Sequence, residues 1–438
     1  MRLLLLFVFF FCGLNMQAQS EETAVQNGFG LLEALIEKDG DKAFSYLDTS
    51  VQTKISPADL ASIWRQVELG LQLGNYLDTQ AYLYEVPTLY IGLVFAKGPI
   101  DLKISFTPGG GIEGFFFVAP SDKSPYKIPA YADTSRFSES AFTLHSGKFS
   151  LPGKLCVPEG KGPFPLLILS HGSGPNDMDE KLGPNRVFRD IANGLASRGI
   201  AVYRYHKRTY VYGLESAENS EQLTVKEEYL DDLHAAIDTL MYHPKIDSTR
   251  IFLFGHSLGA LLAPRVALEN DRLRGIILAA APVQPLDSLV LYQLEYLNAL
   301  DSSGTYYRGL HEVRDEVAYL RSPDFSLESE SNWLPLQLNA WYWMDILNYN
   351  AVDSLKKYPG YALILQAEDD YQVPYGEYVR WQNALKKRKR TYFASYPGLS
   401  HGFFASEGQK GPAQYAHYAP VSQEMINRVI RFVVKDAK

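Results

Sequence analysis

Five short, nearly uninterrupted apolar runs punctuate the chain: Pro165-Leu-Leu-Ile-Leu169, Ile200-Ala-Val-Tyr203, Ile251-Phe-Leu-Phe254, Gly275-Ile-Ile-Leu-Ala279 and Tyr361-Ala-Leu-Ile-Leu365. A strand that is apolar at every position, rather than at every second one, must be covered on both faces. Parallel sheets flanked by helices provide that cover. Between the runs lie helical stretches such as residues 225–241, with Tyr229, Leu233, Ile237 and Leu240 on one face. The spacing predicts a doubly wound α/β domain whose site is built by loops at the carboxyl ends of the strands.

This domain is expected over residues 123–438, opening with two antiparallel strands near residues 141–144 and 149–157. Upstream, residues 19–122 read as a small α+β unit. One helix is expected over residues 24–44 and a second opens at Ser56-Pro57, followed by β-rich runs near residues 82–86, 90–95, 101–106 and 115–118. Residues 120–129 read as the linker. Residues 282–358 are too long for a simple crossover and are expected to form an inserted helical cap. Any one aromatic among Trp333, Trp341, Tyr342 and Trp343 is most simply a filler of the cap's own core. As a cluster, the tryptophans also suit the lining of an apolar substrate pocket.

The chain begins Met1-Arg2, continues with an apolar run over residues 3–11, and reaches Met16-Gln17-Ala18 before polar residues. One positive charge, an apolar stretch too short to span a bilayer and a small residue before the cut predict a signal peptide over residues 1–18 and an exported protein, periplasmic or secreted, with no stable membrane insertion afterwards. Cys12 would offer a lipoprotein anchor, but Phe10 and Phe11 stand where small residues are expected. Removal of the signal leaves Cys156 as the one cysteine, read as a buried apolar residue in a fold without disulfides. A net charge of −8 argues against a nucleic-acid partner. The basic run Lys386-Lys387-Arg388-Lys389-Arg390 is read as the solvated end of a helix.

Gly255-His256-Ser257-Leu258-Gly259 follows the strand-like run 251–254 and precedes a helical stretch. In that setting the glycines permit a tight strand-to-helix turn that lifts the Ser257 hydroxyl clear of the sheet and places the Leu258 N–H at a helix N-terminus. A serine hydroxyl is a poor nucleophile until a base takes its proton and an acid fixes that base. Of the histidines after Ser257, His311 falls inside the cap and His417 lacks a suitable loop. His401, in Pro397-Gly398-Leu399-Ser400-His401-Gly402 after a predicted strand, is the expected base. Glu368, Asp369 and Asp370 follow the run 361–365, and Asp370 is the expected acid. The loop Ser170-His171-Gly172-Ser173-Gly174 supplies the second oxyanion donor, assigned to the Ser173 N–H, with His171 and His256 read as structural. Asp177, Asp179 and Glu180 read as a solvated loop rather than a metal site, and no cofactor is expected.

These segments, together with residues 183–208 and Gln366-Ala-Glu-Asp-Asp-Tyr-Gln-Val-Pro374, resemble bacterial α/β-hydrolase esterases of the dienelactone-hydrolase-like group. The upstream unit resembles the small cystatin-like or ketosteroid-isomerase-like roll that often precedes them. The resemblance implies an α/β-hydrolase fold and a serine carboxylesterase with Ser257, Asp370 and His401 at the triad positions. The chain departs from the pattern at His206, where an aspartate is usual before Lys-Arg, and its nucleophile is serine rather than the cysteine of true dienelactone hydrolases. The expected substrate is a small-molecule ester with a small to medium acyl group. The sequence also leaves open a serine peptidase of the prolyl-oligopeptidase type, a non-catalytic binding protein of the same fold, and the oligomeric state.

Overall fold

The computed structural model describes residues 21–53, 55–70, 75–85, 88–107, 110–118, 126–301 and 306–437. The signal peptide, Cys12 and most of the expected linker lie outside these residues. The chain divides into two compact units, Met1–Pro125 and Tyr126–Lys438.

In the first unit, helices α1 (Glu21–Glu37), α2 (Gly40–Ser45), α3 (Thr49–Gln52) and α4 (Pro57–Gly70) precede strands β1 (Tyr76–Glu85), β2 (Thr88–Phe95), β3 (Gly98–Phe106) and β4 (Ile112–Val118). The strands form an antiparallel sheet in the order β1-β2-β3-β4. Leu31, Leu35, Leu60 and Trp64 from the helices are buried with Leu89, Ile91, Leu93, Leu102 and Ile104 from the sheet. The single helix expected over residues 24–44 is broken in two. Lys38 adopts a left-handed φ of 60°, and the Asp39 carboxylate accepts from Lys42 N at 2.9 Å, starting a new helix instead of continuing the old one.

In the second unit, strands β5 (Phe137–Ala141), β6 (Leu144–Ser146), β7 (Phe149–Leu151), β8 (Gly153–Pro158), β9 (Phe164–Ser170), β10 (Lys181–Leu182), β11 (Asn185–Arg186), β12 (Ala201–Tyr205), β13 (Ile246–His256), β14 (Leu273–Ala279), β15 (Tyr361–Ala367) and β16 (Thr391–Tyr396) alternate with helices. The helices are α5 (Val187–Ala196), α6 (Arg208–Tyr212), α7 (Asp231–Leu240), α8 (Leu258–Glu269), α9 (Leu286–Leu300), α10 (Tyr307–Leu320), α11 (Ala340–Leu347), α12 (Ala351–Lys357), α13 (Tyr375–Leu385) and α14 (Gln423–Arg431). The main sheet has eight strands in the order β16-β15-β14-β13-β9-β12-β8-β5, parallel from β16 to β12 and antiparallel at β8 and β5. The strand run expected over residues 149–157 is split because Pro152, which has no N–H to give a ladder, separates β7 from β8.

The apolar runs read as they do because both faces are covered. Leu166, Ile168, Leu253, Ile276, Leu278 and Ile364 face a core shared with α7, α8 and α13. Their immediate neighbours Leu167, Leu169, Phe252, Phe254, Ile277, Leu363 and Leu365 face a second core with α5 and α14. From β9 the chain adds β12 on one side and then β13 on the other. The strand order therefore reverses at β9, and the carboxyl ends of β9 and β13 are where open α/β sheets of this topology place their sites.

Between β14 and β15 the insertion carries α9, α10 and α11. The last helix of the stretch, α12, packs on α8 and α13 and so belongs to the helix layer of the sheet rather than to the cap. Trp343 is wholly buried, with its indole N–H donating to Pro335 O at 3.1 Å, whereas Trp333 is 62% and Trp341 38% exposed. The expectation of a tryptophan-lined pocket is therefore corrected, since Trp343 is part of the core and the other two rings open to solvent.

Candidate active site

β13 ends at His256 and α8 begins at Leu258, so Ser257 alone makes the turn, with φ 54° and ψ −118°. Such backbone costs about 1–3 kcal/mol and persists only where the surroundings enforce it. Here they do. A Cβ on Gly255 would lie 2.3 Å from Gly259 O, and one on Gly259 would lie 2.3 Å from His171 O. The two glycines of the motif are needed for close approach rather than for unusual φ values. Ser257 N donates to Ala279 O at 2.9 Å, tying the turn to β14. As the first residue of α8, Leu258 has an N–H without an intrahelical acceptor, at the positive end of the helix.

Of the three consecutive acids after β15, one faces His401. The His401 Nδ1–H donates to Asp370 Oδ2 at 2.6 Å, with both side chains buried, and Asp370 Oδ1 accepts from Gln372 N at 2.8 Å and Val373 N at 2.9 Å. Asp369 instead accepts from Ser406 Oγ at 2.5 Å and Glu368 from Ser395 Oγ at 2.7 Å, both on the exposed side of the loop. His401 is fixed by its own turn, in which Phe403 N donates to Ser400 O at 2.8 Å and Ser400 N to Phe404 O at 2.9 Å.

The loop after β9 runs beside Ser257: a Cβ on Gly172 would meet Ser257 Cβ at 3.3 Å. Ser173 is exposed on this loop. His171 is buried against the rings of Phe188 and Tyr205, and burial pushes its imidazole down to about 4. The solvated loop expected at Asp177, Asp179 and Glu180 is corrected, because Asp179 and Glu180 are buried. Asp179 pairs with Arg204 at 2.9 Å. Glu180 Oε1 accepts from Gly172 N at 2.6 Å and lies 3.0 Å from His256 Nδ1, while His256 Nε2 lies 3.0 Å from His401 O. His256 thus joins the turn at Ser257, the loop after β9 and the His401 loop. Burial opposes charge on both groups, yet Glu180 raises His256 above its ordinary value and His256 lowers Glu180 below its own. His206, at the position where an aspartate is usual, accepts from Met178 N at 3.0 Å; burial pushes it down to about 4, so it acts there as a neutral acceptor.

Aromatics that no sequence spacing links gather beside Asp370. Tyr371, next to Asp370, stacks on Tyr296 of α9 at 5.5 Å and meets Tyr415 at 5.9 Å. Gln293 of α9 donates to Gln372 O at 3.0 Å, holding the cap helix over this loop. Tyr296 and Tyr415 carry no local motif, and only the fold brings them together. Among the described residues no cluster of three or more His, Cys, Asp or Glu could hold a metal ion, and no helix is long and apolar enough to cross a membrane.

A mixed, mainly parallel sheet with its switch point at β9, a serine on a strained strand-to-helix turn and a buried histidine–aspartate pair define an α/β hydrolase. Residues 167–411 match the profile of the Alpha/beta hydrolase family, and the chain belongs to that family. It is 31% identical over 414 residues to the esterase EstD of Thermotoga maritima, covering 94% of this chain and 95% of that one. It is 28% identical over 189 residues to the esterase FrsA of an Enterobacter species, covering 42% of this chain and 41% of the relative. Among solved structures, Est1E of Butyrivibrio proteoclasticus is 17% identical with a TM-score of 0.44, over 68% of this chain and 98% of that one. The protein is an esterase, a carboxylic ester hydrolase.

Proposed function

We propose that Ser257 is the nucleophile, His401 the base and Asp370 the acid of a two-step acyl transfer on small to medium acyl esters. His401 Nε2 takes the proton of Ser257 Oγ as the oxygen attacks the ester carbonyl. The Leu258 and Ser173 N–H groups receive the oxyanion. His401 returns the proton to the leaving alcohol, and water, activated by the same imidazole, then hydrolyses the acyl-serine. The observation that carries this reading is the buried 2.6 Å bond from His401 Nδ1 to Asp370 Oδ2, which leaves Nε2 as the free lone pair.

Small acyl groups are favoured by the tyrosine stack beside Asp370, closed over by α9, since a methylene that clashes with a packed aromatic wall costs at least the roughly 1–3 kcal/mol that a fitting one gains. The finer placement in the dienelactone-hydrolase-like group, the cystatin-like or ketosteroid-isomerase-like roll upstream and export under a signal peptide over residues 1–18 belong to this proposal and rest on the sequence. Side-by-side assay of p-nitrophenyl esters from acetyl to dodecanoyl and of aminoacyl amides tests it. The expected result is highest kcat/KM on acetyl to hexanoyl esters. Faster turnover of the amides would favour a peptidase, and a preference for dodecanoyl would remove the confined pocket.

A further inference from the structure

Gly172 is held at both of its backbone groups. Its N–H donates to Glu180 Oε1 at 2.6 Å, and its carbonyl accepts from Tyr229 O–H at 2.6 Å and from Lys207 Nζ at 3.0 Å. Lys207 also donates to Gly174 O at 2.9 Å and to the Tyr229 oxygen at 2.5 Å, and it pairs with Glu228 at 2.7 Å. Glu228 Oε2 in turn accepts from Tyr342 O–H of α11 at 2.8 Å. Lys207 and Tyr229 are each only 1% exposed. A buried ion pair is an expensive way to cross-link a loop, and apolar packing of similar volume often stabilises as well or better. Its location, one peptide bond from the proposed oxyanion donor, suggests a different use.

In a trans peptide the C=O and the N–H point in opposite directions. The buried donors Lys207 and Tyr229, joined by Asn176 Nδ2 at 3.2 Å, hold the Gly172 carbonyl and therefore turn the Ser173 N–H the other way. Withdrawal of electron density at the carbonyl oxygen also makes the N–H on the same peptide a stronger donor, the cooperative effect of chained hydrogen bonds. We propose that Lys207 and Tyr229 are positioning residues of the esterase reaction, which orient and polarise the Gly172–Ser173 peptide so that the Ser173 N–H meets the developing oxyanion. This rests on the reading of Ser257 as nucleophile and Ser173 as donor.

The test compares Tyr229→Phe, Lys207→Met and Ser257→Ala in the full chain, with kcat and KM on p-nitrophenyl acetate and Ki for an alkyl boronic acid, which forms a tetrahedral anion on the nucleophile. Tyr229→Phe removes one hydroxyl and should lower kcat about 10-fold, with KM within about twofold. Lys207→Met should lower kcat about 100-fold, comparable with loss of an oxyanion donor. The boronate Ki should rise by the factor by which kcat/KM falls, while Ki for a ground-state alcohol inhibitor stays unchanged, a pattern that general loosening of the fold would not produce. If Lys207→Met does not fold, Tyr229→Phe decides alone. A folded Tyr229→Phe variant with wild-type kcat and boronate Ki would overturn the proposal while leaving the triad intact. An active Ser257→Ala variant would instead remove the reading on which it rests.

Discussion

Replacing Asp370 with Asn changes one atom pair and should nearly abolish turnover, for a reason set by the backbone around it. Asp370 Oδ1 accepts from Gln372 N and Val373 N at 2.8 and 2.9 Å, so the oxygen of an asparagine must stay there and its NH2 must turn toward His401. Nδ1, now facing a donor instead of the 2.6 Å acceptor, has to carry the lone pair. The ring proton moves to Nε2, where Ser257 needs a base. The wrong tautomer and the lost charge behind the imidazolium together cost on the order of 10⁴ in kcat, as for the corresponding change in other triads. That is about 5 kcal/mol of transition-state stabilisation at about 1.4 kcal/mol per decade. Asp369→Asn, on an exposed side chain that meets Ser406, should stay within about twofold. Steady-state kinetics on p-nitrophenyl acetate, with far-UV circular dichroism to confirm folding, measures both. A folded Asp370→Asn variant retaining a tenth of wild-type kcat, or an equal loss in Asp369→Asn, would show that Asp370 does not set the His401 tautomer.

Acid should destabilise the hydrolase unit through His171 and His206, both held neutral down to about 4 while the unfolded chain titrates near 6.5. Between those values the unfolded state binds up to two more protons, so stability falls with falling pH by up to about 2.7 kcal/mol per unit, two groups at about 1.4 each. Urea unfolding at several pH values should show His206→Asn losing about half of this histidine-linked slope; an unchanged slope would count against it. Trp343→Ala should cost about 3–5 kcal/mol of stability without shifting acyl-chain preference, whereas Trp341→Ala should do neither, as unfolding curves and an ester series would show. Because all residues of the proposed site lie in the second unit, a chain beginning at Tyr126, which keeps the Tyr126 O–H bond to Asp190 Oδ1 at 2.7 Å, should hydrolyse p-nitrophenyl acetate; a folded but inactive one would show that the first unit completes the site.

What the sequence made legible is what local pattern determines. Runs such as residues 251–254 are apolar at every position because alternate side chains feed two cores, and the turn at Ser257 announces itself by glycines that have no room for a Cβ. The choice among Glu368, Asp369 and Asp370 was narrowed by their place after β15, but their partners Ser395, Ser406 and His401 lie 27 to 37 residues away. Asp179 and Glu180 read as surface because charge usually is; their burial depends on Arg204 and on His256, 76 residues downstream of Glu180. Trp341 and Trp343 look like one cluster in the sequence but part in the fold. Two residues apart on a helix they point about 200° from each other, so burying one exposes the other. Tyr296, Tyr371 and Tyr415 come from three separate elements and share no spacing that a linear reading can detect.

Ser257 is proposed as the activated nucleophile of this esterase. Labelling the purified protein with a fluorophosphonate, followed by peptide mapping, tests it most directly. A single adduct is expected on Ser257, formed in step with loss of activity and much more slowly in Asp370→Asn. Full inactivation with the adduct on any other residue, or unimpaired hydrolysis by Ser257→Ala, would contradict it.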